Sequence, residues 1–175
     1  FLDGRDVSPK TALSDIMQLE RGLNDKIIVA TVIGRFYAMD RDNRWERVQK
    51  AYNLIVSGVG DRYNSAKEAI SSRYELGETD EFISPLVISG FEGFSLDSDG
   101  LFFMNFRPDR ARELLSALCD PKFNKFKRHQ SFSLVSKVGL IEYSRAHKTF
   151  MDSVFVQMPV SNTLGHCISN TNKTQ

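Results

Sequence analysis

The chain has 175 residues, 41% apolar and 26% charged, with a formal net charge of +1 at pH 7. That length suits one domain with a sizeable core, and the near-neutral balance offers no bulk attraction to nucleic acid or to an anionic membrane. Cys119 and Cys167 are too few and too far apart for a disulfide framework or a metal knuckle, and no run is long and apolar enough for a transmembrane helix or a secretory signal. A cytoplasmic protein with no membrane partner is therefore expected.

In chain order, Phe1 to Asp6 reads as the end of a strand with a tight turn at Gly4. The chain does not begin with Met, so a piece of a longer protein is expected. Ser8 and Pro9 suit the start of a helix, and Ala12, Leu13, Ile16, Met17, Leu19 and Leu23 recur at helical spacing to about Asn24. Ile27 to Ile33 is β-branched and apolar on both faces, as in a strand covered on two sides. Residues 34–43 read as a loop carrying Arg35 and Arg41. Asn43 and Glu46 have capping-box spacing before an apolar helical stripe of Trp45, Val48, Ala51, Tyr52, Ile55 and Val56, expected to be core. Gly58 and Gly60 end that helix, and Ser65 with Glu68 opens another through about Leu76.

A polar turn at 77–82 precedes a strand at Leu86 to Ser89, and Phe91 to Asp99 reads as a loop or small hairpin. Leu101 to Phe106 is an aromatic-rich strand leading into Arg107-Pro-Asp-Arg110 and a helix marked by Ala111, Leu114, Leu115 and Leu118. Pro121 to Arg128 interleaves Lys122, Lys125, Lys127 and Arg128 with Phe123 and Phe126. A linker with two aromatic anchors is preferred there over a site for RNA or another polyanion. Two β segments, Ser131 to Tyr143 and Ser153 to Met158, and a polar, frayed tail from Ser169 complete the chain. The expected fold is α/β: three layers, with a mostly parallel sheet flanked by helices and incomplete because the chain starts within a strand.

Three strand ends carry the same chemistry. Arg5 and Asp6 follow the first, Arg35 and Arg41 the second, and Arg107 and Arg110 the third. In an open α/β sheet such ends lie along one edge, where ligands bind. Five guanidinium groups there would suit an anion, since each offers a planar two-pronged fork to carboxylate or phosphate. Among them Asp6 would transfer a proton to a ligand hydroxyl or orient an arginine. The alternative is a structural network of ion pairs. His129, His147 and His166 lack metal-ligand spacing, and Asp80, Glu81, Asp97 and Asp99 read as turn carboxylates.

The segments Phe1–Asp6, Gly34–Arg47, Gly77–Phe82 and Phe106–Arg112, with Glu142-Tyr143 and Asn162–Gly165, occur in an order and spacing that resembles the cofactor-independent phosphoglycerate mutases. The resemblance implies the transferase, or substrate-binding, domain of such an enzyme over 1–160, without its N-terminal part. It implies that 161–175 starts the return to an absent metal-binding phosphatase-like domain, the expected partner. The substrates implied are 3- and 2-phosphoglycerate, interconverted through a phosphoserine in a monomeric enzyme using two Mn2+ (or similar) ions and no bisphosphoglycerate. The family's substrate-holding residues fall on Arg5, Asp6, Arg35, Arg41, Arg107 and Arg110, with Asp6 as the acid/base. Its serine nucleophile, metal ligands, catalytic lysine and a substrate-site histidine have no counterpart here, so this piece alone is expected to bind no metal and to be inactive. A different phosphomutase of the same superfamily is the neighbouring alternative.

Overall fold

The structure, a computed structural model, describes residues 1–88, 90–94, 98–128, 133–156 and 163–170. Its strands form two three-stranded sheets. In the first, β1 (Thr31–Val32), β2 (Asp61–Tyr63) and β3 (Leu86–Ile88) are ordered β1-β3-β2, with β1 antiparallel and β2 parallel to β3. In the second, β4 (Gly100–Phe103), β5 (Ser136–Ile141) and β6 (Asp152–Phe155) are ordered β4-β5-β6 and wholly parallel. Pairing is thus mostly parallel, as expected, but divided between two sheets. Leu2 runs parallel beside Gly34, donating from its amide to Ile33 and accepting from that of Arg35, each at 2.9 Å. The Phe1 and Phe103 rings, 6.0 Å apart, join this segment to the second sheet.

Helices cover both faces of the first sheet. The longer ones are α1 (Ala12–Gly22), α3 (Trp45–Ser57), α4 (Ala66–Glu75) and α5 (Arg112–Cys119), and a single turn, α2, spans Arg35–Ala38. β3 is buried along its whole length. Leu86 and Ile88 pack with Ile16 and Ile70 of α1 and α4, while Val87 packs with Tyr52, Leu54, Leu114 and Leu115 of α3 and α5. Alternate side chains of one strand therefore feed two cores, which makes the fold three-layered. The α3 stripe is core as expected, with Val48, Ala51, Tyr52 and Val56 all buried.

Local signals fared unevenly. Gly58 ends α3 in the left-handed conformation, and the Ser65 hydroxyl caps α4 by accepting from the Glu68 amide at 3.2 Å. The helix expected from Ser8 instead starts at Ala12, and its free amides at Thr11 and Ala12 donate to Asp80 at 2.8 and 3.0 Å. Asn43 does not cap α3. It takes a left-handed conformation (φ 59°) and gives its amide to Glu113, leaving Arg44 at the cap position. Of the strand expected over 27–33 only Thr31–Val32 is a regular strand against β3, although the Ala30 carbonyl accepts from Ile88 and that of Ile33 from Leu2, and Ile28 is 67% exposed. Residues 34–43, read as a loop, contain the turn of α2. The rings of Phe123 and Phe126 turn inward against Trp45 and Tyr52, at 5.5 and 5.4 Å, and are therefore not open platforms for bases. A last helix, α6 (Leu164–Asn170), occupies a stretch partly read as frayed tail. The centre of the loop expected at 91–99, the start of the β segment from Ser131, the end of the one at Met158, and the boundary at 160 lie outside the described residues.

Candidate functional site

Two glycines set the floor of the site. Gly4 is in the left-handed region (φ 65°), and a Cβ there would lie 2.6 Å from the Glu81 amide nitrogen. Gly34 follows β1, and a Cβ on it would overlap the Glu81 carbonyl. Only glycine allows both turns to rest on the backbone of Asp80 and Glu81. The first turn launches Arg5 and Asp6, the second Arg35. On the far side, Pro108 opens a 3-10 turn, Pro108–Arg110, between β4 and α5, and this turn carries Arg110. The Tyr143 hydroxyl donates to the carbonyls of Phe103 and Asn105 at 3.0 and 2.5 Å, pinning the chain just before Arg107.

These segments enclose a cavity of about 130 Å³ whose walls include Arg5, Arg35, Arg41 and Arg110. Arg107 and Asp6 do not line it, but Asp6 is one ion pair from a lining arginine and Arg107 is two, through Asp109. Arg35 donates to Asp6 at 2.7 Å and also contacts Asp3, while Asp109 accepts from Arg41 at 2.7 Å and from Arg107 at 2.9 Å. Arg5 faces Glu81 at 3.8 Å. All six residues singled out from the sequence are therefore brought to one corner. Two further arginines, Arg44 and Arg47, share the walls and reach Asp40 at 3.6 Å. Sequence reasoning passed over these, although Arg41, Arg44 and Arg47 recur every third residue. It also assigned nothing to Asp3, Asp40 or Asp109, the carboxylates that space the arginines apart.

The electrostatics follow from this crowding. Burial, and then the guanidinium groups of Arg41, Arg35 and Arg107, push Arg110 below the usual arginine range while leaving it charged. Its Nη1 donates to the Met39 carbonyl at 2.9 Å, and its buried Nε has no partner among the described residues. The hydrogen bond from Arg107 holds the Asp109 carboxyl down at about 2 against the opposing effect of burial, with Arg41 adding to it. Burial works against ionisation of Asp3, but the Arg35 hydrogen bond and the amides of Asp6 and Arg5 keep it below the ordinary carboxylate range. Such a site has more guanidinium donors than its own carboxylates occupy, which suits a small anion with more than one charged group.

Among the described residues no three His, Cys, Asp or Glu side chains are grouped as a metal site, and no helix is long and apolar enough to cross a membrane. The histidine that is described in full, His147, is buried and satisfied. Its ring nitrogens lie 2.7 Å from the Ser144 hydroxyl and 3.0 Å from the Arg112 carbonyl.

Comparison with known proteins agrees with this reading. A 2,3-bisphosphoglycerate-independent phosphoglycerate mutase of Roseobacter denitrificans is 46% identical over 167 residues, 95% of this chain and 33% of that protein. The protein of the same name from Symbiobacterium thermophilum is 44% identical over 163 residues, covering 92% of this chain and 30% of its own length. The chain thus spans about a third of the curated relatives it matches. The crystal structure of Leishmania mexicana phosphoglycerate mutase at low cobalt concentration superposes with a TM-score of 0.68 at 27% identity, over 81% of this chain and 28% of that one. The family described as BPG-independent PGAM N-terminus (iPGM_N) matches residues 1–145, and the chain belongs to that family.

Proposed function

We propose that this chain is the substrate-binding part of a phosphoglycerate mutase that interconverts 3- and 2-phosphoglycerate without bisphosphoglycerate. The observation that carries this reading is the cavity walled by Arg5, Arg35, Arg41 and Arg110, with Arg107 joined to Arg41 through Asp109. A three-carbon acid bearing a carboxylate and a phosphate needs two clusters of donors, and arginines from three strand ends supply them. In this reading the guanidinium groups fix both anionic ends of the substrate. Asp6, held by Arg35, faces the glycerate hydroxyls and exchanges protons with them as the phosphoryl group leaves one and returns to the other.

The phosphoryl-accepting serine belongs to a separate phosphatase-like domain, as the family resemblance implies, and so do the two manganese ions. In this reading the part played by this chain is to bind and orient the substrate. Residues 1–160 would form the substrate-binding domain and 161–175 the start of the return to its partner domain, in a monomeric cytoplasmic enzyme. The test is Arg107→Ala in the full-length enzyme, assayed with 3-phosphoglycerate. Loss of a charged, two-pronged anion contact is expected to lower kcat/KM by about 2–4 kcal/mol of transition-state stabilisation. An unchanged kcat/KM would overturn the assignment, and a preference for pentose phosphates would point to a different phosphomutase.

A further inference from the structure

Glu113 lies in the first turn of α5, three residues beyond Arg110, and is only 9% exposed. A buried acid at that position needs a reason. Its Oε1 accepts from the Asn43 amide at 2.9 Å, a contact across 70 residues of sequence. Its Oε2 is buried with no protein donor among the described residues, and it faces the Asp40 carboxyl. Asp40 in turn accepts from the amides of Asp42 and Arg44 at 2.9 and 3.0 Å. Three consecutive amides, from Asp42 to Arg44, are therefore tied to two buried carboxyls. Burial, opposed by the Asn43 amide and reinforced by Asp40, raises the Glu113 carboxyl above the usual range, while the amides of Arg44 and Asp42 help to hold Asp40 below it against burial.

The segment so tied is the one that carries Arg41. It is joined to the Arg107–Glu113 corner at three points: Arg41 to Asp109, Arg110 to the Met39 carbonyl, and Asn43 to Glu113. The first two use the arginines themselves, which an arriving anion would recruit. The third leaves substrate-facing groups free. We propose that Glu113 is a positioning residue, which holds residues 40–44 against α5 so that the Arg41 guanidinium enters the cavity at a fixed distance from Arg110. Its effect on substrate rests on the reading of the cavity as the phosphoglycerate site, whereas its effect on the segment does not.

Two measurements on the full-length enzyme separate these. Glu113→Ala is expected to raise KM for 3-phosphoglycerate by about tenfold while kcat changes by less than about threefold, because ground-state and transition-state binding are lost together. Glu113→Gln keeps the acceptor for Asn43, and is expected to restore KM to within about twofold. In an Arg41→Ala background the Glu113→Ala change should add less than about twofold, since it acts through that arginine. Independently, amide hydrogen exchange at Asp42 to Arg44 should quicken in Glu113→Ala and stay unchanged in α4. Glu113→Asp, one carbon too short to reach Asn43, gives the same pattern in milder form and serves if the alanine variant does not fold. Unchanged exchange at 42–44 overturns the proposal. Quickened exchange with an unchanged KM upholds the tether and overturns the assignment of the cavity instead.

Discussion

Arg35 and Asp6 meet at 2.7 Å across 29 residues of sequence, and the arginine side chain is only 5% exposed. Asp3 holds the same guanidinium nitrogen. The turn at Gly4 and the turn at Gly34 are thereby locked by a pair of carboxylates on one buried cation. Removing the cation leaves two carboxylates without their partner. Arg35→Ala is expected to cost about 2 kcal/mol in folding stability, less than a fully buried pair would, because Asp6 is well exposed to water. Chemical denaturation of the two proteins measures the difference. Arg35→Lys should recover only part of it, since the lysine chain ends one bond short of Nη1, the nitrogen that both carboxylates contact.

Asp80 makes a second cross-chain lock of a different kind. It is 1% exposed, and its Oδ2 accepts from the amides of Thr11 and Ala12 while its Oδ1 accepts from the Tyr74 hydroxyl. Burial and the Asp80 charge push the Tyr74 phenol well above its ordinary range, so it remains a donor. Asp80→Ala strands three donors at the junction of α1, α4 and the floor of the site. A loss of about 3 kcal/mol is expected, read from the midpoint of urea unfolding. Asp80→Asn, which still accepts through one oxygen, should lose less.

Asp109 gives the site a dependence on pH. Its carboxyl is depressed to about 2 by Arg107 and Arg41. A depressed acid stabilises the folded state at pH values above its unfolded value of 3.8, and that contribution disappears as pH falls through about 2. Thermal melts of the wild-type protein and of Asp109→Asn should therefore differ by a constant amount near neutrality. The two curves should converge between about pH 4 and pH 2. A gap that persisted at pH 2 would show that the carboxylate charge is not what Arg41 and Arg107 respond to.

What could be read from the sequence depended on distance along the chain. The α3 stripe and the Ser65 cap are local signals, and both stand in the structure as read. The corner at Arg107 to Arg110 was legible for the same reason, because proline and the following leucines mark it within a dozen residues. The start of α1 was misplaced because its capping group, Asp80, lies 68 or more residues away and carries no signature near Ser8. Asn43 was misread because Glu113, equally remote, competes for its backbone. The convergence of the arginines could be anticipated from strand ends alone. The carboxylates between them could not, since which acid meets which arginine is decided by side-chain packing across three segments.

The close approach of Gly4 and Gly34 to the backbone of Asp80 and Glu81 bears on how this architecture tolerates divergence. Main chain sets the separation of those two arginine-bearing turns, and main-chain atoms are the same whatever residue occupies positions 80 and 81. Neighbouring side chains can therefore drift between lineages without altering the gauge of the pocket, provided the two glycines stay.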